Sequence, residues 1–178
     1  MKSNILNVGI AGYGIVGQRR HISINKIKKF RVIAVCDRKF KKDKINNKIL
    51  ELNHYKKIFN QNIQVLFVCL TNDVAAEVTI EALKNGIHVF CEKPPGRNVK
   101  DIEKVFKVYN KIKNIKLMYG FNHRHHLSIK KALQIIKSNQ LGKIINIKGI
   151  YGKSQLITFK QPVWRTKRKI AGGGVLLD

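Results

Sequence analysis

The chain has 178 residues, 44% of them apolar, enough to bury one good core and begin a second. Thirty-six lysines and arginines against 10 acids give a formal charge of +26, a balance common among polyanion binders. Its distribution argues against a specific nucleic-acid site. Lysines run from Lys2 to Lys169 with no arginine cluster, aromatic stacking platform or zinc-finger spacing beside them, so the charge reads as a solvated surface with some attraction for anionic metabolites.

Residues 5–10 read as a short strand entering a glycine turn rather than as a signal peptide, and Tyr13 to Ile27 as a helix. Residues 31–36 are a second apolar strand that ends at Asp37. From 38 to 62 the pattern is polar and irregular, with a helix expected near Leu50 to Phe59. Residues 63–70 read as the next buried strand, its apolar residues running on from Val65 to Leu70 rather than alternating, as in a parallel strand covered on both faces. Asn72 can cap a helix that reaches Asn85, with Gly86 placed to stop it. A strand at 87–91 follows. Asn98 then caps a helix whose Ile102, Val105, Phe106, Tyr109 and Ile112 recur at helical spacing, with Asp101 placed as in a capping box. Residues 115–120 close the set as a strand. The alternation predicts an α/β fold: a doubly wound, mostly parallel sheet over residues 1–122.

Beyond 122 the texture changes. A helix is expected over 126–138, a strand over 144–151, loop from 152 to 171, and the opening of another helix at 172–178. Residues 123–178 therefore read as the beginning of a second, incomplete domain. No apolar run approaches the ~20 residues needed to cross a bilayer. Cys36, Cys69 and Cys91 lie singly in apolar runs without a neighbouring base, as reduced, buried thiols of a cytoplasmic protein do.

The chemistry-bearing segments lie at strand ends. Gly9-Ile10-Ala11-Gly12-Tyr13-Gly14 follows a strand, opens a helix, and is read as the GxGxxG fingerprint of a dinucleotide turn. In that reading Gly9 permits the turn, Gly12 the approach of the pyrophosphate, and Gly14 close packing of helix on sheet. The phosphates meet unpaired amides at the helix N-terminus. Asp37, ending the second strand, can accept the ribose hydroxyls and repel a 2′-phosphate, which favours NAD. Arg38 partly offsets that repulsion and keeps NADP as the alternative. Lys93, in Cys91-Glu92-Lys93-Pro94-Pro95, can polarise a substrate oxygen from the same sheet edge; by itself it reads equally as a surface lysine before a proline turn. His88 reads as structural. His123, His125 and His126 lack metal-ligand spacing, and no metal is assigned.

GIAGYG at 9–14, LTND at 70–73, EALKNGIHVFCEKPP at 81–95, YGFNHRHH at 119–126, LGKI at 141–144, WR at 164–165 and GGGVLLD at 172–178 together resemble the glucose-fructose oxidoreductase / inositol dehydrogenase / rhizopine catabolism (Gfo/Idh/MocA) family. The resemblance implies a Rossmann domain followed by a larger α/β domain with an open, mainly antiparallel sheet that mediates homo-oligomers. It implies hydride transfer between NAD(P) and a secondary alcohol of a sugar, polyol or sugar nucleotide, with a leaning toward surface-polysaccharide precursors. Lys93 resembles the lysine that contacts the reacting hydroxyl, Pro94 a proline that is commonly cis, and Asp178 the substrate-binding or catalytic aspartate. Leu70, Thr71, Asn72, Glu92, Lys93 and Pro94 join Gly9, Ala11, Gly12, Tyr13, Gly14, Asp37 and Arg38 as the expected cofactor contacts. Leu70-Thr71 departs from the family's usual threonine-proline, and Ala75 stands where many members have histidine.

The family's general acid/base histidine would follow Asp178 by four residues, beyond the last residue. The resemblance thus implies a C-terminally truncated chain that binds NAD with little turnover. A non-catalytic dinucleotide-binding regulatory protein and an imine- or biliverdin-type reductase remain the alternative readings.

Overall fold

The computed structural model describes residues 5–150 and 163–174. They fall into two compact units, one from residues up to 120 together with those from 164 onward, the other from 121 to 163.

The first unit is built on β1 (Leu6–Ala11), β2 (Phe30–Cys36), β3 (Lys44–Asn46), β4 (Ile49–Leu52), β5 (Val65–Val68), β6 (His88–Cys91) and β7 (Leu117–Tyr119). Helices α1 (Ile15–Ile24), α2 (Asn72–Lys84) and α3 (Val99–Tyr109) form the crossovers. The sheet order is β3-β4-β2-β1-β5-β6-β7, parallel throughout except for β3 against β4. Without β3 this is the doubly wound order in which the chain runs outward from β1 in one direction and returns to build the other half beyond it. The crevice lies at the carboxyl ends of the strands where that direction reverses, between β1 and β5.

Both faces of the central strands are buried, which explains their near-continuous apolar runs. On one side Val8, Ile10, Val32 and Val35 pack with Ile24 of α1. On the other, Ala11, Ala34, Cys36, Leu66, Val68 and Cys91 pack with Val78 and Leu83 of α2 and Val105 of α3. The turn after α2 uses Gly86 at φ +70, the left-handed conformation expected of a helix-stopping glycine. The Asn98 side chain accepts a hydrogen bond from the Asp101 amide and caps α3 as expected. The capping box is not completed: Asp101 turns its carboxylate to Arg97, accepting from that residue's amide at 3.1 Å and its Nε at 3.0 Å.

Several local expectations change. Helix α1 ends at Ile24, and residues 25–27 continue as tight turns, with Lys26 N–H bonded to Ser23 O and Ile27 N–H to Ile24 O. Helix α2 takes Thr71 as its N-cap residue, and Asn72 lies inside the helix with its side chain used elsewhere. In place of a helix at Leu50 to Phe59 there is a strand, β4, followed by a 3-10 helix at Tyr55–Asn60. Strand β4 exists because Leu50, Glu51 and Leu52 find a ladder on β2, opposite Ala34, Val35 and Cys36. The β3–β4 turn is made by Asn47 and Lys48, both at positive φ, the conformation that a two-residue hairpin of type I′ demands.

The second unit holds a 3-10 helix at Asn122–His125 and α4 (Leu127–Lys137), close to the expected helix. Residues 144–150 form no strand, and Tyr151 lies outside the described residues. A strand needs a ladder partner for its backbone groups, and none reaches this segment among the described residues. The expected loop at 152–171 is partly helical, with a 3-10 helix at Val163–Thr166 and α5 at Arg168–Ala171. The unit boundary falls after 120 rather than 122, and the described residues 164–174 fold with the first unit, where Ala171 is buried, rather than with the second. Most of the helix expected at 172–178, Asp178 included, lies outside the described residues. Among the described residues no helix is long and apolar enough to cross a membrane.

Candidate functional site

Register brings the candidate residues to one edge. Ala11 is level with Cys36 on one side and Val68 on the other, and Val68 is level with Cys91. Gly12, Asp37, the loop Cys69-Leu70-Thr71 and Glu92-Lys93 therefore all emerge together at the carboxyl end of the sheet, beside the N-terminus of α1. In an open α/β sheet this crevice is where ligands bind.

The glycine turn is built by close backbone approach. Gly12 has φ +90 and donates its N–H to Cys36 O at 2.9 Å. A Cβ on Gly12 would sit 2.3 Å from Cys69 O and 2.6 Å from Cys69 C, inside the backbone of the loop after β5. Gly14, at the N-cap of α1, has open space: a Cβ there would meet nothing within 4 Å. The close-packing role expected of Gly14 belongs instead to Gly17, buried in α1, whose Cβ would meet Gly12 O at 2.0 Å. Gly9 is a sheet residue of β1, where a Cβ would press on Ile63 and Ile58, so it permits core packing rather than the turn. The fingerprint frame accordingly moves three residues along: Gly12-Tyr13-Gly14-Ile15-Val16-Gly17 is the segment that spells GxGxxG. Gly17 completes that spacing and is legible in the sequence from it alone. The first-turn amides of α1 have no preceding turn to supply carbonyls, and with the open face at Gly14 they form an anion-receptive end.

Asp37, half-buried, is held by backbone donors. Its Oδ2 accepts from Tyr13 N at 2.9 Å and its Oδ1 from Lys39 N at 2.9 Å. These bonds tie the end of β2 to the glycine turn and leave further lone pairs on the carboxylate. Arg38 is exposed beside it. Tyr13 places its amide on Asp37 while its hydroxyl lies 2.6 Å from His21 Nδ1 on α1. Burial raises the Tyr13 phenol, with the Glu51 carboxylate adding to it, and burial lowers the His21 imidazole. Ala11 is the last residue of β1, wholly buried, and its carbonyl accepts from Cys69 N at 2.7 Å.

On the other side of the crevice Leu70 and Thr71 are half-buried in the loop between β5 and α2. Asn72 is 4% exposed, and its Nδ2 donates to Ala171 O at 2.8 Å, so its side chain is engaged inside the protein. Glu92 is fixed by backbone and side chain alike. Its amide donates to Val68 O at 2.9 Å, and its carboxylate is paired with Arg20 of α1. The Arg20 guanidinium stands 5.1 Å over the Phe90 ring, which stacks on Phe67 at 5.0 Å. A Cβ on Gly120 would reach within 2.9 Å of Glu92 Oε2, so Gly120 leaves the room this carboxylate needs. Arg20 and Gly120 are contributors that no local pattern announced. Lys93 is exposed, and the Lys93–Pro94 bond is cis, as the resemblance implied, with Pro94 buried behind it.

The other groups that the sequence singles out lie as follows. Burial pushes the thiols of Cys36 and Cys91 up to about 12 and that of Cys69 higher still, which disfavours the nucleophilic thiolate. His88 Nδ1 accepts from Lys116 N at 3.0 Å and joins β6 to the approach to β7. His123, His125 and His126 lie at the 3-10 turn, with the rings of His123 and His126 5.0 Å apart. Among the described residues no group of three or more histidine, cysteine or acidic side chains is placed to hold a metal.

Comparison with known proteins agrees with this architecture. The chain is 27% identical to levoglucosan dehydrogenase of Pseudarthrobacter phenanthrenivorans over 97% of its own length and 48% of that protein's. It is 27% identical to inositol 2-dehydrogenase of Salmonella paratyphi B (88% and 49%) and 27% identical to D-glucoside 3-dehydrogenase of Escherichia coli (100% and 52%). It thus spans about half the length of the curated relatives it matches. Among solved structures, levoglucosan dehydrogenase in complex with NADH and levoglucosan superposes with a TM-score of 0.81 at 23% identity, over 98% of this chain and 50% of that one. Myo-inositol 2-dehydrogenase of Lactobacillus plantarum superposes with a TM-score of 0.68 at 28% identity, over 80% and 44%. Residues 6–121 match the family model described as an oxidoreductase family with an NAD-binding Rossmann fold, and the chain therefore belongs to the Gfo/Idh/MocA oxidoreductases.

Proposed function

We propose that this chain binds NAD(H) across the crevice between β1 and β5. The pyrophosphate lies against the N-terminus of α1, the adenosine ribose on Asp37, and the nicotinamide end toward Glu92-Lys93. The observation that carries this reading is the open face at Gly14, set between a Gly12 that only glycine can occupy and a carboxylate already anchored to the same turn. A bound nicotinamide supplies the hydride acceptor or donor. The chain's own part is to bind and orient. The amides of the α1 N-terminus receive the phosphates, Asp37 selects an unphosphorylated ribose, and Lys93 brings a cation to the edge where a substrate oxygen gains charge. Tyr13, Leu70, Thr71 and Glu92 shape the walls, with the buried Ala11 and Pro94 supporting them from behind.

The substrate class follows from the relatives, which are named for oxidation of inositol, levoglucosan and glucosides. We infer that the whole protein is a cytoplasmic homo-oligomer acting on a secondary alcohol of a sugar, polyol or sugar nucleotide. In that reading residues from 121 onward begin the substrate-binding part, and Asp178, outside the described residues, orients the substrate. The 178-residue chain alone holds cofactor with little turnover. Surface-polysaccharide precursors are the narrower proposal for the substrate.

Titrating the 178-residue chain with NADH and NADPH, read by nicotinamide fluorescence, tests the cofactor proposal. Saturable NADH binding tighter than NADPH binding is expected; absence of both, or tighter NADPH, overturns it. In a complete protein that turns over a sugar panel, Lys93→Met is expected to leave NADH affinity within about twofold and cut kcat by about a hundredfold or more.

A further inference from the structure

The family resemblance places Asn72 among the cofactor contacts, yet its side chain faces the protein. It lies in the first turn of α2, is 4% exposed, and spends an Nδ2 hydrogen on the carbonyl of Ala171, 99 residues away. The segment it grips is itself tightly seated. Ala171 is 6% exposed, and Gly172 turns at φ +85 with its Cα so close to Arg97 that a Cβ would sit 2.3 Å from Arg97 O and 2.5 Å from Arg97 Cα. Arg97 belongs to the short loop that leaves Pro94. That loop is fastened in turn by Asp101, which accepts from the Arg97 amide and Nε, and by Gly96, whose missing side chain leaves room for Asp101 Cβ. The segment Arg168–Gly172 is therefore held from two directions, by the loop 69–72 and by the loop 93–97. Both loops border the crevice, and Gly172-Gly173-Gly174 leads in sequence directly toward Asp178.

We propose that Asn72 is a positioning residue and not a cofactor ligand. It couples the segment Arg168–Gly172 to the two loops that border the nucleotide crevice, so that NAD(H) binding at the crevice stabilises the segment and the segment in turn holds those loops. The inference rests on the cofactor reading above. Its physical basis is linkage: a ligand that orders the 69–72 and 93–97 loops also favours whatever is bonded to them, by the same free energy in both directions. An amide donor suits the role, because a buried carbonyl left without a partner costs more than the bond it loses. Glycine at 172 suits it too, since both the positive φ and the space against Arg97 forbid a side chain.

Hydrogen exchange read by mass spectrometry on the 178-residue chain, with and without saturating NADH, tests the proposal. The amides of Ile170, Ala171 and Gly172 carry the signal, being bonded within α5 to the carbonyls of Lys167 and Arg168. In the parent chain NADH is expected to slow exchange in peptides covering 12–17 and also in peptides covering 168–172. Asn72→Asp keeps the shape and removes the donor. It is expected to speed exchange at 168–172 by about tenfold or more and to abolish the NADH-dependent protection there, while protection at 12–17 persists and NADH affinity stays within about threefold. Gly172→Ala attacks the same junction from the other side and is expected to behave alike, with no added effect in the double variant.

Loss of protection at 12–17 in the parent chain refutes the cofactor reading itself. Protection at 12–17 with none at 168–172, or unchanged 168–172 exchange in Asn72→Asp, overturns the coupling alone. A large loss of NADH affinity in Asn72→Asp with 168–172 still protected returns Asn72 to the cofactor contacts, and a uniform rise of exchange over the whole chain reduces it to general stability.

Discussion

Replacing Gly12 by alanine is the sharpest perturbation the turn offers. At φ +90 an L-residue is strained by about 1–3 kcal/mol before any contact is considered. The added Cβ, 2.3 Å from Cys69 O, must then be relieved by about 1 Å of movement, since carbon and oxygen in contact sit near 3.4 Å. The obstacle is backbone, so the relief comes from parting β1 from the end of β5, where Cys69 N donates to Ala11 O at 2.7 Å, or from β2, where Gly12 N donates to Cys36 O at 2.9 Å. Losing one of these adds about 1–2 kcal/mol. The expected destabilisation is therefore about 2–5 kcal/mol, a sizeable fraction of the 5–15 kcal/mol typical of a domain. Gly14→Ala is the control, because its φ of −75 suits any residue and its Cβ meets nothing. It is expected to cost less than about 1 kcal/mol while weakening NADH binding by about tenfold or more, the new methyl standing where the pyrophosphate approaches. Urea unfolding followed by circular dichroism, paired with NADH fluorescence titration, reads both quantities. A Gly12→Ala chain within 0.5 kcal/mol of the parent refutes the close approach. Undiminished NADH affinity in Gly14→Ala refutes the place given to the pyrophosphate.

Asp37→Ala removes the acceptor of the Tyr13 and Lys39 amides together with the charge that repels a 2′-phosphate; NADH affinity is expected to fall about tenfold and NADPH to gain relative to it, read by parallel titrations. The Arg97 guanidinium, bonded to Asp101, holds that carboxyl below its ordinary 3.8. Because the folded value is the lower one, the stabilisation is present above 3.8 and is lost as the pH falls through the depressed value, so Asp101→Asn is expected to flatten that acid limb of a urea-midpoint series. Cys36 and Cys91, with thiols pushed up to about 12, are expected to resist an aromatic disulfide reagent at pH 8 in the folded chain and to react at once in denaturant; rapid labelling of the native chain contradicts their burial.

What the residues alone carried is what depends on short spans. The largely apolar, non-alternating runs at 63–70 and 87–91 mark buried parallel strands, Gly86 and Asn98 mark helix ends, and Asp37 and Lys93 mark strand ends. Each signal reflects steric or solvation preferences that act within a few residues. The glycine turn is also legible, but the roles of its glycines are not, because the sequence does not say which glycine touches which backbone. That answer came from Cys69, more than fifty residues downstream, lying against Gly12. Strand β4 escaped for the same reason: Leu50 to Leu52 carry no strand pattern of their own and become a strand by pairing with β2. The pairing of Arg20 with Glu92, the turning of Asn72 to Ala171 and the return of residues 164–174 to the first unit are likewise contacts across long loops. The sequence by itself determined which residues reach the sheet edge; tertiary structure decided which of them face the crevice and which hold the protein together. Local preference acts along the chain, whereas that division depends on which distant backbone comes to lie alongside.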